Sequence, residues 1–126
     1  MKNSKKHQKI TGCLDRSECP ITNTLDLIGD KWTLLIIRDM LFLKKRSFNE
    51  FLDSPEGIAT NILTERLKRL EEHGIIEKRP YTRSPLRYEY ILTRRGRDLQ
   101  PILIEMIRWG NLYIEGTFVP PRKILE

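Results

Sequence analysis

The chain has 126 residues, 39% of them hydrophobic and 32% charged, which excludes a disordered polymer and suits one domain with a core of its own. Lys and Arg number 23 against 17 Asp and Glu, a net charge of +6 at pH 7. The surplus is uneven: residues 1–19 hold five basic and two acidic side chains, 20–59 five and six, 60–97 ten and five, and 98–126 three and four. A localised cationic region is the footprint of a polyanionic partner. No nucleophile–base pairing, Gly-rich phosphate loop or HExxH-type metal motif occurs, so an enzyme is not expected. Residues 1–12 are basic and polar with no apolar run behind them, so no signal peptide is expected, and the run Leu34–Leu43 is too short to span a bilayer. The expected location is the cytoplasm, where Cys13 and Cys19 are free thiols rather than a structural disulfide.

Residues 1–18 read as a mobile basic arm. Cys19-Pro20 opens a short helix to about Ile28, with Pro20 in the first turn, where its missing N–H does no harm. Gly29-Asp30 is a break. Lys31–Leu43 is apolar on nearly every side at its centre and reads as a buried helix with Trp32 anchoring the core. Ser47 with Glu50 is a capping box opening a short helix to about Leu52, and Asp53–Gly57 is a turn. The stretch Gly57–Gly74 then reads as one helix. Ile58, Ile62, Leu63, Leu67 and Leu70 give its apolar stripe, and Gly74 is its left-handed cap. Its other side carries Thr60, Asn61, Thr64, Glu65, Lys68 and Arg69, groups able to reach base edges and phosphates. Two helices joined by a tight turn, the second with a polar front, make a helix-turn-helix pattern.

Ile75–Tyr81 and Arg87–Leu92 read as two strands joined by the turn Thr82–Leu86, a hairpin that follows the helix pair as a wing. Its Arg83, Ser84 and Arg87 suit phosphates or a minor groove. Thr93 is an N-cap candidate for a last long helix, Arg94 to about Gly116, which Pro101 kinks or whose straight part it begins. Its apolar residues Ile102, Met106, Ile107, Trp109 and Tyr113 spread over more than one face, so a second copy of the chain is the expected cover. Residues 117–126 read as a loose tail. The fold class is mainly α with a small β-hairpin wing (α+β), with the functional domain at residues 19–116.

From Cys19 to about Gly110 the chain resembles the HxlR-type family of bacterial winged helix-turn-helix regulators, relatives of the MarR group. The matching pieces are Cys19-Pro20, Leu25-Asp26-Leu27-Ile28-Gly29 with Lys31-Trp32, Phe48 with Glu50, Gly57-Ile58, Leu63, Leu67, Leu70-Glu71 and Gly74. Pro85-Leu86-Arg87-Tyr88-Glu89-Tyr90, Leu92-Thr93 and Gly96 complete the set. Departures are Asp30 where a second Gly is usual, Ser47 where Arg often precedes Phe, and Ala59 where Ser often caps the helix. The resemblance implies a homodimeric transcription factor joined through its first and last helices, Leu25 and Ile28 included, and bound to double-stranded DNA. Two reading helices about 34 Å apart imply a near-palindromic operator.

Cys13 and Cys19, with five residues between them, do not have zinc spacing; His7 lies in the arm and His73 at a helix end, and no metal or other cofactor is expected. Cys19 precedes a helix N-terminus, where exposed amides favour the thiolate. The resemblance adds that some family members sense oxidants or electrophiles through a Cys at this position, which makes Cys19, alone or joined to Cys13, a candidate trigger. The competing reading of Cys19 is a small packed side chain. The alternatives at the level of function are a winged-helix protein–protein adaptor and a small-molecule-responsive regulator without thiol chemistry.

Overall fold

The computed structural model describes residues 9–10 and 14–125. Most of the proposed arm, Cys13 included, therefore lies outside the described residues. Pro20–Ile28 forms α1 with Pro in its first turn and Gly29 closing it. Asp30 then does what no residue at the formal helix start does. Its carboxylate accepts the N–H groups of Trp32 and Thr33, both at 3.1 Å, and so caps α2, Thr33–Phe42. Trp32 is half-buried at the edge of the core rather than its anchor; the largest fully buried side chain is Phe51 of α3, Phe48–Leu52. The capping box of Ser47 and Glu50 at the start of α3 forms as expected.

The helix expected from Gly57 starts three residues later, as α4, Thr60–Glu72. Gly57 takes φ +72°, and Ala59 is extended, so the periodic stripe begins before the helix does. Ile58 is buried outside the helix with Leu63 in the same cluster, in the positions of a hydrophobic staple. At the other end the Gly74 N–H donates to the Glu71 carbonyl at 3.0 Å and the Ile75 N–H to the Leu70 carbonyl at 2.9 Å, with Gly74 at φ +70°. This is a Schellman cap, and its accompanying apolar pair, Leu70 and Ile75, is buried. Arg95 also donates to the His73 carbonyl, placing a cation at the negative end of α4.

β1, Ile76–Arg83, and β2, Leu86–Leu92, pair antiparallel. A bulge at Tyr81, after Pro80, shifts the register between Pro80↔Tyr88 and Thr82↔Arg87. The Tyr90 N–H donates to the Arg46 carbonyl at 2.7 Å, tying the α2–α3 connector to the hairpin's base. Thr93 caps only a short α5, Arg94–Arg97; the long helix α6, Gln100–Tyr113, has Pro101 in its first turn. Of the two roles open to Pro101, marking the start is the one it takes. Gly96 packs against the hairpin so closely that a Cβ there would lie 2.3 Å from the Ile75 carbonyl oxygen. The C-terminal segment, expected to be loose, folds back instead. Asn111 Nδ2 donates to Thr117 Oγ1 and to the Phe118 carbonyl, both at 2.9 Å, and a one-turn α7 spans Arg122–Leu125.

The core joins Ile28, Ile36, Ile37 and Met40 of α1 and α2 to Phe51, to the stripe of α4, and to Leu103 of α6. Asp39, only 2% exposed, is fully engaged inside it. It accepts from Arg38 Nε and Nη2 at 3.0 and 2.8 Å and from the Ser54 hydroxyl, and it lies 3.7 Å from Lys45 Nζ. Arg38 also pairs with Glu56 at 2.7 Å. The network locks α2 to the turn between α3 and α4 and so fixes where α4 points.

Candidate nucleic-acid interface

At about 100° per residue, Thr60, Asn61, Thr64, Glu65 and Lys68 occupy one continuous arc of α4 of about 140°. All five are exposed, while Leu63, Leu67 and Leu70 are buried. The helix is about 20 Å long at 1.5 Å per residue, enough to lie in a major groove. Ala59 supplies no capping oxygen, which leaves the amides of the first turn open to a phosphate. The Thr64 hydroxyl donates to the Thr60 carbonyl at 2.9 Å, so it presents outward an acceptor and a methyl. Glu65 is held by Arg66.

Arg69 is placed differently from what its position in the polar set suggests. It lies at the far edge of the arc with Arg66, and both turn to Asp30. Arg66 Nε reaches Asp30 Oδ2 at 2.8 Å and Arg69 Nη2 reaches Oδ1 at 2.9 Å. Burial alone would raise the Asp30 carboxyl. Hydrogen bonds from Arg66, Thr33 and the Trp32 amide, with the Arg66 charge, outweigh it and hold the pKa at about 2. Asp30 thus clamps α4 to the start of α2. Neither Asp30 nor Arg66 stands in the sequence-derived set, and the one available signal was the departure from Gly at position 30.

In the hairpin, Arg83, Ser84 and Arg87 are exposed. The tip is braced by the Thr82 hydroxyl, which donates to the Pro85 carbonyl at 2.6 Å, and Ser84–Pro85 is cis. Lower down, the Lys78 ammonium sits 4.4 Å from the Tyr88 ring centroid. α4 runs through the Gly74 cap straight into the hairpin and packs against β1, so the two parts of the expected DNA surface are consecutive in the chain.

The residues expected at a dimer contact divide. Leu25, Ile102, Met106, Trp109 and Tyr113 are exposed, Trp109 by 62%, and Ile107 is half-buried. Ile28 does not fit: it is 4% exposed and belongs to the chain's own core, because α1 turns Ile28 inward and Ile21 and Leu25 outward. Ile102, Met106, Trp109 and Tyr113 recur at helical spacing along α6, and the Trp109 and Tyr113 ring centroids are 5.2 Å apart. Leu112 of the same helix is exposed as well, as are Phe118 and Val119 of the segment that follows it.

Cys19 is exposed at the N-cap of α1. Its side chain makes no capping hydrogen bond of ordinary length, yet the Thr22 amide and hydroxyl, then the Ile21 amide, lower the thiol pKa. The turn before it is fastened to α1 by Arg16–Asp26 at 2.7 Å and by Asn23 Nδ2, which donates to the Ser17 and Cys19 carbonyls, both at 2.8 Å. No group of three metal-binding side chains occurs among the described residues, and no helix there is long and apolar enough to cross a membrane.

Residues 27–118 match the model of the HxlR-like helix-turn-helix family. An uncharacterized HTH-type transcriptional regulator of Synechocystis is 44% identical over 97 residues, covering 77% of this chain and 71% of its own. Among solved structures, the redox regulator HypR in its oxidised form is similar with a TM-score of 0.70 and 38% identity, over 77% of this chain and 99% of that one. The reduced form of the transcriptional regulator YodB from Bacillus subtilis follows with a TM-score of 0.64 and 30% identity, over 79% of this chain and 98% of that one. The winged helix-turn-helix geometry and these likenesses agree: the chain belongs to the HxlR-like family of helix-turn-helix transcriptional regulators.

Proposed function

We propose that the protein acts as a homodimer on a near-palindromic operator, each protomer placing α4 in a major groove and its hairpin along the flanking phosphates or minor groove. The observation that carries this is the division of α4: its core stripe is buried, and the polar arc from Thr60 to Lys68 is exposed in full. Thr60, Asn61, Thr64 and Glu65 serve as base readers, Lys68, Arg83, Ser84 and Arg87 as backbone contacts. Arg69, paired with Asp30, orients the helix rather than touching DNA. The apolar face of Ile21 and Leu25 on α1 and of Ile102, Met106, Trp109 and Tyr113 on α6 is the surface that a second copy covers.

A gel shift on the DNA upstream of the protein's own gene, run at 50 and 200 mM salt, tests the reading. Retardation at the lower salt is expected, with affinity falling by about three orders of magnitude at the higher if some six phosphates are contacted. No retardation at 50 mM salt would favour the protein–protein adaptor.

We further propose that Cys19 is the trigger. Its exposure and lowered pKa support this, as does the likeness to a protein named as a redox regulator. Diamide should abolish operator binding by the wild type and spare Cys19→Ser. Equal loss in both proteins would remove Cys19 from the mechanism and leave the small-molecule-responsive alternative.

A further inference from the structure

A cleft of about 440 Å³ lies on the side of the hairpin where the α2–α3 connector, both strands and the root of α6 converge. Its volume falls within the range of small-ligand sites. Lys44, Lys45, Arg46, Arg79 and Arg97 all line it, and no carboxylate does. Their existing partners leave charge to spare. Lys45 is turned to Ser54 Oγ at 3.1 Å and Asp39 at 3.7 Å. Arg46 meets Glu89 only at 3.5 Å and Arg79 meets Glu77 only at 3.7 Å. Arg97 Nη1 donates to a neutral group, the Leu92 carbonyl, at 3.0 Å, and Lys44 has no partner among the described residues.

Lys44 is also the one non-glycine residue with positive φ among those described, at +57°. Leu43 and Lys45 both donate their N–H to the Asp39 carbonyl, at 3.2 and 3.0 Å, and this forces the chain to reverse there. The turn favours glycine, yet a long cation that lines the cleft occupies it. Met40, Leu41 and Ile91 add apolar surface to the same lining. A DNA phosphate would neutralise such walls but would leave this surface uncovered, whereas a short carbon chain with an anionic group at each end covers both.

We propose that this cleft binds a small dicarboxylic acid, one carboxylate at Lys44 and Arg46 of the connector and the other at Arg79 and Arg97 across it. Because the cleft joins the wing to the root of the long helix, its occupant sets the angle between the DNA-reading and dimerising parts; this second clause rests on the DNA-binding function proposed above.

Succinate is the probe, added to the full chain free of DNA at constant ionic strength. A saturable rise in melting temperature is expected, with calorimetric titration giving a dissociation constant at or below about 1 mM. Lys44→Asn, a residue that tolerates left-handed backbone, should keep the fold and weaken succinate at least about tenfold, as should Arg97→Gln. DNA affinity of Lys44→Asn without succinate should stay within about twofold of wild type. No saturable response, an equal response in the variants, an equal response to inorganic phosphate, or loss of DNA affinity in Lys44→Asn without succinate would each overturn the proposal. The binding arm uses no DNA, so its outcome is separate from that of the gel shift.

Discussion

Asp30 is where a single side chain does most to shape the molecule. It caps α2 and holds two arginines of α4, five donors on one carboxylate. Its pKa of about 2 lies below the ordinary value of 3.8, so its contribution to stability is complete above pH 3.8 and is lost as the pH falls towards 2. The site is partly open to solvent, so after screening the contribution is about 1 kcal/mol. Asp30→Asn should therefore unfold more readily at pH 7 and show a flatter stability profile between pH 4 and 2, measured by urea denaturation. An unchanged acid limb would mean that Asp30 is not the group titrating there. Ala59 argues in the opposite direction. It leaves the start of α4 uncapped, and Ala59→Ser should supply the missing oxygen. The expected gain is about 1 kcal/mol, a rise in melting temperature of roughly 3–5 °C by calorimetry.

For the elements, period and punctuation carried most of the reading. The stripe through Leu63, Leu67 and Leu70, the Ser47–Glu50 capping box, the Gly74 cap and the wing are local features, each visible within a few residues, and each forms. What was illegible is non-local or conformational. The start of α4 moved because Gly57 adopts a left-handed turn and Ala59 is extended, while Ile58 continues the apolar stripe regardless. Arg69 looks like another polar contact until Asp30, 39 residues away in the chain, turns it aside. Ile28 and Leu25 are both apolar on one short helix, and nothing local says which of them faces the core. The two elements proposed to contact DNA should separate experimentally. Asn61→Ala should relax preference at one base pair by about 1–3 kcal/mol while leaving the salt slope alone. Arg83→Ala should weaken binding on all sequences and reduce the slope of log K against log salt by about 0.9. The reverse pattern, with Arg83 altering base preference, would place the wing in a groove as a reader.

At the level of the whole molecule, the proposed function depends on a surface that one chain leaves open. A lone soluble domain gains nothing by exposing Trp109, Tyr113, Met106 and Ile102 on one helix and Leu25 and Ile21 on another. In a two-fold dimer each residue is buried twice. If Trp109 contributes about 2 kcal/mol per copy as a central aromatic anchor, Trp109→Ala costs about 4 kcal/mol of dimerisation, roughly a thousandfold in the dissociation constant. The fold of the protomer should survive, because Trp109 is 62% exposed and lies outside the core cluster. Sedimentation velocity should show the variant as a monomer at concentrations where the wild type is dimeric. Operator affinity should fall with it, since a monomer loses the second α4 and the effective concentration that joins the half-sites. A variant that stays dimeric would move the interface off α6; one that is monomeric yet binds the full operator undiminished would show that each protomer reads DNA alone.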